Sequence, residues 1–245
     1  MTHAEERLGH DPTSELWGEH RSRYRFAAQF VERKRVLDIA CGAGFGLQML
    51  EEAHGCPVGA DYDAAALSDV HHRLGVIPLV RADGMHLPFK SSAFETVVSF
   101  ETIEHVRDAG ALVRELRRVL RPGGYLVLST PNRAFGPPEH HTANEFHVRE
   151  FTADELRECL QDYFADVCLY GQRPSEHYRY VPFLMHAPRL ELSELVWKAM
   201  VRLPFHIKNR VAEAISRRPF YPGEEDYVFE PDATDRSHVL VAVAR

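Results

Sequence analysis

The stretch VLDIACGAGFG, residues 36–46, ends an apolar run and opens into glycines 42, 44 and 46. A short β-rich run flanked by basic residues and glycine predicts a buried strand. The residues after it, FGLQMLEEAHG, predict a helix that stops at Gly55. A strand that passes through a glycine turn into a helix lets a ligand approach the backbone closely. The glycines alone resemble a dinucleotide turn. Asp38, just before the turn, argues against a pyrophosphate and for a cation such as an ammonium group, held directly or through water.

Outward from that turn, two further strands end in acid. CPVGADYD ends in Asp61, placed to accept both hydroxyls of a ribose, and Tyr62 after it is placed to lie on an adenine face. VIPLVRAD ends in Asp83, with the Gly84 and Met85 amides beside it, where an exocyclic adenine amine would be accepted. A single strand-end aspartate is usually a turn or cap residue. Three in succession, the first before a glycine turn, point to one elongated ligand.

Strands and helices alternate from residue 34 to 131: ETVVSFE reads as a fourth strand, AGALVRELRRVLRPGG as a helix stopped at Pro122, and YLVLSTPN as a fifth strand. This pattern predicts an open parallel α/β sheet with helices on both faces. TADELRECLQDYF follows as a helix with a Thr152–Glu155 capping box, then ADVCLYGQ and HVLVAVAR as strands. SELWGEHRSRYRFAAQFV reads as an N-terminal amphipathic helix with Ser14 as its cap. Residues 173–236 break the alternation and read as a largely helical insertion. The chain then divides into a tail and helix (1–33), a core (34–172 with 237–245) and the insertion. Lys208, Arg210, Arg217 and Arg218 give the insertion a basic, solvated face.

The 245 residues carry a formal net charge of −7, with 44% hydrophobic and 27% charged residues. That composition fits a soluble globular protein and disfavours a general nucleic-acid binder. Four dispersed cysteines without a C-x-x-C pair read as reduced thiols, and the polar, acidic N-terminus does not read as a signal peptide. The expectation is a cytoplasmic protein with no membrane span. Oligomeric state is left open.

These motifs, with RADGMHLPF, FETVVSFETIEHV and LRPGGYLVLSTPN, resemble those of class I S-adenosylmethionine-dependent methyltransferases over about residues 34–170 and the last strand. The resemblance implies a Rossmann-like open seven-stranded sheet with the last strand antiparallel, and S-adenosylmethionine as cofactor. It assigns cofactor contacts to Asp38, Ala40, Gly42, Gly44, Asp61, Tyr62, Asp83, Gly84, Met85, Phe100 and Glu101. Ala40 stands where many relatives have glycine. The N-terminal helix resembles one that covers the cofactor, with His20 and Tyr24 in reach.

ETIEHV gathers Glu101, Glu104 and His105 after the fourth strand, and His147 lies just before the Thr152 helix. A hydroxyl acceptor needs its proton removed by a base such as His105, or acidified by a metal. Two carboxylates and an imidazole suit Mg²⁺, Mn²⁺ or Zn²⁺. The combination with Thr130-Pro131-Asn132 is similar to small-RNA 2′-O-methyltransferases, and Glu-x-x-Glu-His-Val to ubiquinone-pathway O-methyltransferases. This similarity implies Glu101, Glu104, His105 and His147 as metal ligands. The same motif also fits metal-free relatives, in which His105 is the base, Glu104 caps a turn and His147 orients the acceptor. NEFHVREFT in turn resembles enzymes of sugar and antibiotic gene clusters.

The expected acceptor is a small hydroxylated molecule such as a sugar or glycosylated natural product. The alternative is the ribose of an RNA 3′ end, disfavoured by the acidic balance. Tyr178, Tyr180, Phe183, Trp197 and Phe205 are candidates to line its pocket, or are the insertion's own core. His140 and His141 lie in a loop beside it. A non-catalytic cofactor-binding partner subunit and a nicotinamide dehydrogenase are the readings from other classes.

Overall fold

The computed structural model describes residues 13–14, 16–135, 146–178, 199–200 and 202–245. In chain order come α1 (Trp17–Ala27), β1 (Arg35–Ile39), α2 (Phe45–Glu52), β2 (Cys56–Asp61), α3 (Ala64–Leu74), β3 (Leu79–Arg81), β4 (Phe94–Phe100), α4 (Ala109–Val119), β5 (Leu120–Pro131), α5 (Ala153–Gln161), β6 (Val167–Pro174), α6 (Phe205–Ser216), β7 (Tyr227–Pro231) and β8 (Val239–Ala244). The sheet order is β3-β2-β1-β4-β5-β8-β6-β7. Strands β1 to β5 pair parallel with one another. β8 inserts antiparallel between β5 and β6. The order reverses between β1 and β4, and an open α/β sheet takes its ligand at such a reversal, outside the strands' C-terminal ends.

The sheet has eight strands where seven were expected. The additional one, β7, comes from residues assigned to the insertion and pairs antiparallel with β6 at the edge. Its five residues end in Pro231, which suits an edge strand because proline cannot donate to a further ladder.

Period-two alternation divides the core between the two faces. Leu37, Leu126, Leu128 and Leu240 face α4 and α5, in a cluster with Leu112, Leu116, Leu156 and Leu160. Val36, Val98, Val127 and Val241 face the other way, packed with Tyr24, Phe26 and Phe45 of α1 and α2. Each fully buried leucine contributes about 1.5–3 kcal/mol. Asp38 is two residues from Val36 and therefore points to the α1 side, which is how an N-terminal helix reaches the end of β1.

The expected capping box is present: Thr152 Oγ1 accepts the Glu155 amide at 3.3 Å and Glu155 Oε2 accepts the Thr152 amide at 2.9 Å. Two expected boundaries shift. Leu16, not Ser14, occupies the N-cap of α1, and Ser14 Oγ accepts the Leu16 amide at 3.3 Å. α4 ends at Val119, short of Pro122, because the residue before a proline disfavours helix and Leu120 already pairs with Phe94 in the sheet.

The basic face of the insertion is only partly exposed. Lys208 is buried, with Nζ donating to Tyr221 Oη at 2.7 Å, and Arg218 pairs with Asp226 at 2.7 Å. None of the four cysteines forms a disulfide among the described residues. Among the described residues no helix is long and apolar enough to cross a membrane.

Candidate functional site

The C-terminal ends of β1, β2 and β3 lie side by side. Asp38 and Asp61 stand within the last residues of β1 and β2, while β3 stops at Arg81 and Asp83, expected to end it, follows two residues later in a turn. Gly42 donates its amide to Asp61 Oδ2 at 2.9 Å, and Asp63 donates to Oδ1 at 2.8 Å. The glycine turn and the second acid are thus tied together. Gly42 and Gly44 adopt φ of +49° and +73°. At Gly44 a Cβ would also stand 2.7 Å from the Val70 methyls, so glycine is required twice over.

Ala40 and Glu101 adopt the same left-handed region, at φ +57° and +48°, at the ends of β1 and β4. Non-glycine residues held there cost about 1–3 kcal/mol each and cluster at functional sites. Tyr62 is 70% exposed, with the Arg81 guanidinium 5.7 Å from its ring centroid. Asp83 Oδ1 accepts the Met85 amide at 2.9 Å, and Gly84 lies within that turn. Phe100 is buried at the end of β4 against Tyr24, ring centroids 4.9 Å apart.

α1 closes over this edge. Tyr24 Oη lies 3.3 and 3.2 Å from the two oxygens of Asp38, which is wholly buried. Burial drives the Asp38 carboxyl up to about 8, with the Tyr24 hydrogen bond opposing and the Asp61 charge adding. Gly46 makes room for this contact, since a Cβ there would fall 2.0 Å from the Tyr24 ring. Burial, then the Arg23 charge, pull His20 down to about 4.

Behind Tyr24 lies a charged network that the sequence reading missed. Arg23, with no exposure, reaches Glu19 at 2.5 Å, Glu101 at 2.8 Å and Gln172 at 2.8 Å. Glu19 also meets His238 at 2.7 Å. The available signal was the Glu19–Arg23 spacing of four residues on one helix face.

The expected ligand set is partly brought together. Glu104, His105 and His147 each offer an atom within 4.8 Å of the others. Glu101 is not among them, because its Oε1 is held by Arg23 and by the Ser129 hydroxyl at 2.7 Å. His105 and His147, far apart in sequence, are brought together by backbone: Val148 and Arg149 donate to the Glu104 carbonyl at 2.8 and 3.2 Å. The His rings lie 5.0 Å apart at 76°.

His105 Nδ1 faces the Phe146 carbonyl at 3.2 Å, and His147 Nδ1 faces Glu150 Oε1 at 2.8 Å. A carbonyl only accepts, so this contact places a hydrogen on His105 Nδ1 and leaves Nε2 to face Glu104. Nε2 stands 3.9 Å from Glu104 Oε1. Glu104 is wholly buried, accepts from Thr130 Oγ1 at 2.9 Å through Oε2, and leaves Oε1 without a partner among the described residues. Burial, with the Glu101 charge adding, holds its carboxyl well above the usual carboxylate range.

Of the pocket candidates, Tyr178 is fully buried with Phe220 as core of the insertion, while Phe205 lines a cleft with Trp17, Arg21 and Tyr221 between α1 and the insertion. Tyr180, Phe183, Trp197, His140 and His141 lie outside the described residues.

Residues 37–128 match the family model described as "Methyltransferase domain". A "probable S-adenosylmethionine-dependent methyltransferase" of Mycobacterium tuberculosis is 35% identical over 173 residues, 70% of this chain and 59% of that protein. A malonyl-[acyl-carrier protein] O-methyltransferase of Legionella pneumophila is 31% identical over 172 residues, 64% of this chain and 59% of that protein. The chain thus spans 59% of the length of each of these two curated relatives. A S-adenosylmethionine-dependent methyltransferase structure from Archaeoglobus fulgidus superposes with TM-score 0.62 at 16% identity, covering 94% of each chain, which bears on the fold alone.

Proposed function

Because the chain carries a methyltransferase domain of the class I S-adenosylmethionine-dependent family, we propose that it transfers the methyl group of S-adenosylmethionine to the hydroxyl of a small acceptor. The observation that carries this reading is the row of Asp38, Asp61 and Asp83 at or just beyond three adjacent strand ends, joined to the glycine turn by the Gly42–Asp61 hydrogen bond. In it Asp61 accepts the ribose hydroxyls, Asp83 and the Met85 turn meet adenine, and Asp38 meets the ammonium group.

Methyl transfer breaks the donor's S–CH₃ bond and forms an O–CH₃ bond, while the acceptor hydroxyl gives up its proton. A neutral His105 with its hydrogen on Nδ1 receives that proton at Nε2. Alignment of donor and acceptor supplies the remainder of the rate.

A metal-assisted form of the same reaction has its own support. Glu104, His105 and His147 would hold a divalent ion, and they fit one chemically: a buried, unpartnered carboxylate oxygen beside two imidazoles whose Nδ1 atoms are already engaged. Such an ion, when bound, lowers the pKa of a hydroxyl attached to it. Arg23 and Ser129 hold Glu101 away from this ligand set.

The test is transfer of labelled methyl from S-adenosylmethionine to a panel of sugars, glycosides and phenols, with an RNA bearing a free 3′ ribose alongside. Labelled ether on a small acceptor supports the proposal. Label on nitrogen only, or on RNA only, contradicts the acceptor assignment.

A further inference from the structure

Asp38 has no solvent exposure, and its one hydrogen-bond donor among the described residues is a neutral group, the Tyr24 hydroxyl of α1. The charged group facing it from β2 is another carboxylate, Asp61. From β4 its sheet partner is Val98, and the Cys41 thiol of the turn acts on Tyr24. Arg23, the cation next to Tyr24 on α1, is committed to Glu19, Glu101 and Gln172. Tyr24 itself packs between Phe45 and Phe100, with ring centroids at 5.4 and 4.9 Å.

An ionised carboxylate buried without a cation costs more than a protonated one. Resting on the donor site proposed above, we infer that donor binding is a proton exchange: Asp38 carries a proton in the ligand-free protein and releases it to solvent when the donor's ammonium group becomes its partner. The bond broken is the Asp38 O–H, the proton passes to bulk water, and the ammonium N–H donates to the carboxylate formed. The donor amine, with an ordinary pKa of about 7.7–8.0, arrives already charged below neutral pH. The upward shift of Asp38 to about 8 has the same sign and places the exchange across neutral pH. Affinity for the donor therefore rises about tenfold per pH unit between pH 6 and 7.

Calorimetric titration with S-adenosylhomocysteine at pH 6.5, in two buffers of different ionisation enthalpy, counts the protons directly. 5′-Methylthioadenosine shares the nucleoside and sulfur but lacks the amino-acid arm. The expected result is release of close to one proton with S-adenosylhomocysteine and none with methylthioadenosine. Asp38→Asn, which mimics the protonated acid, should fold normally and abolish the release. Binding of S-adenosylhomocysteine without proton release overturns the inference. So does equal release with methylthioadenosine, or release that persists in Asp38→Asn. Failure of both ligands to bind overturns the donor site itself, and the exchange with it.

Discussion

Arg23 Nη1 lies 2.8 Å from Glu101 Oε1, joining a fully buried guanidinium on α1 to the carboxylate that ends β4. The contact links the first helix of the described chain to the centre of the sheet, across the site. It also explains why Glu101 is absent from the Glu104–His105–His147 group: its charge is already matched.

Removing that guanidinium leaves Glu19 and Glu101 without their shared cation. Arg23→Met is expected to lower stability by about 3–5 kcal/mol, since breaking a buried pair from one side strands the partner charge. Urea unfolding of the variant measures this directly. A loss under about 1 kcal/mol would mean that water replaces the arginine freely.

Gly46 and Tyr24 compete for one volume. Gly46→Ala is expected to cost about 1–3 kcal/mol through overpacking, most of it recovered in Gly46→Ala/Tyr24→Ala. Additive losses in the thermal unfolding of the two single variants and the double would show that the clash is relieved elsewhere.

The pH dependence of the ligand-free protein follows from Asp38 and Glu104. Both carboxyls are raised in the folded state, so folding takes up protons and stability falls as pH climbs toward the folded pKa. His20, lowered to about 4, acts with the opposite sign, but only below its unfolded value of 6.5. Between pH 6.5 and 8 the melting temperature should therefore decline, each group contributing up to about 1.4 kcal/mol per pH unit. Asp38→Asn should flatten the decline. A wild-type melting temperature that rises over this window would contradict the burial argument.

The sheet and the placement of the acids after its first strands were legible because they rest on local rules. Asp38, Asp61 and Asp83 stand at or just beyond strand ends wherever the strands run, and a capping box is complete within four residues, as Thr152 and Glu155 show. What escaped depends on tertiary placement. An amphipathic pattern over the first helix does not say where Arg23 and Glu19 point, and it is Gln172 of β6 and His238, just before β8, that meet them. β7 escaped because a five-residue segment ending in proline, after an acidic turn, has no strand signature until β6 offers it an edge. Lys208 read as solvated, yet Tyr221, thirteen residues on, folds back over it.

Metal content tests the histidine cluster. Near-stoichiometric divalent metal in protein purified without a His tag, lost in Glu104→Gln and in His147→Ala, would select the metal-assisted form over His105 as base. Retained metal in both variants would place the ion elsewhere. Metal-free wild type, with methyl transfer insensitive to chelation, would leave His105 to act as the base alone.

Asp61→Ala should weaken S-adenosylhomocysteine binding by about 1–3 kcal/mol, the loss of a charged hydrogen-bond acceptor. Unchanged calorimetric affinity would remove Asp61 from the ribose site.

The central question is whether the Asp38–Gly42–Asp61 edge takes S-adenosylmethionine. Titration of the wild-type chain with S-adenosylmethionine, with NAD as the competing dinucleotide, decides it. Saturable one-to-one binding of the sulfonium donor, without measurable NAD binding, is the predicted result. Binding of NAD in preference, or of neither, would contradict it.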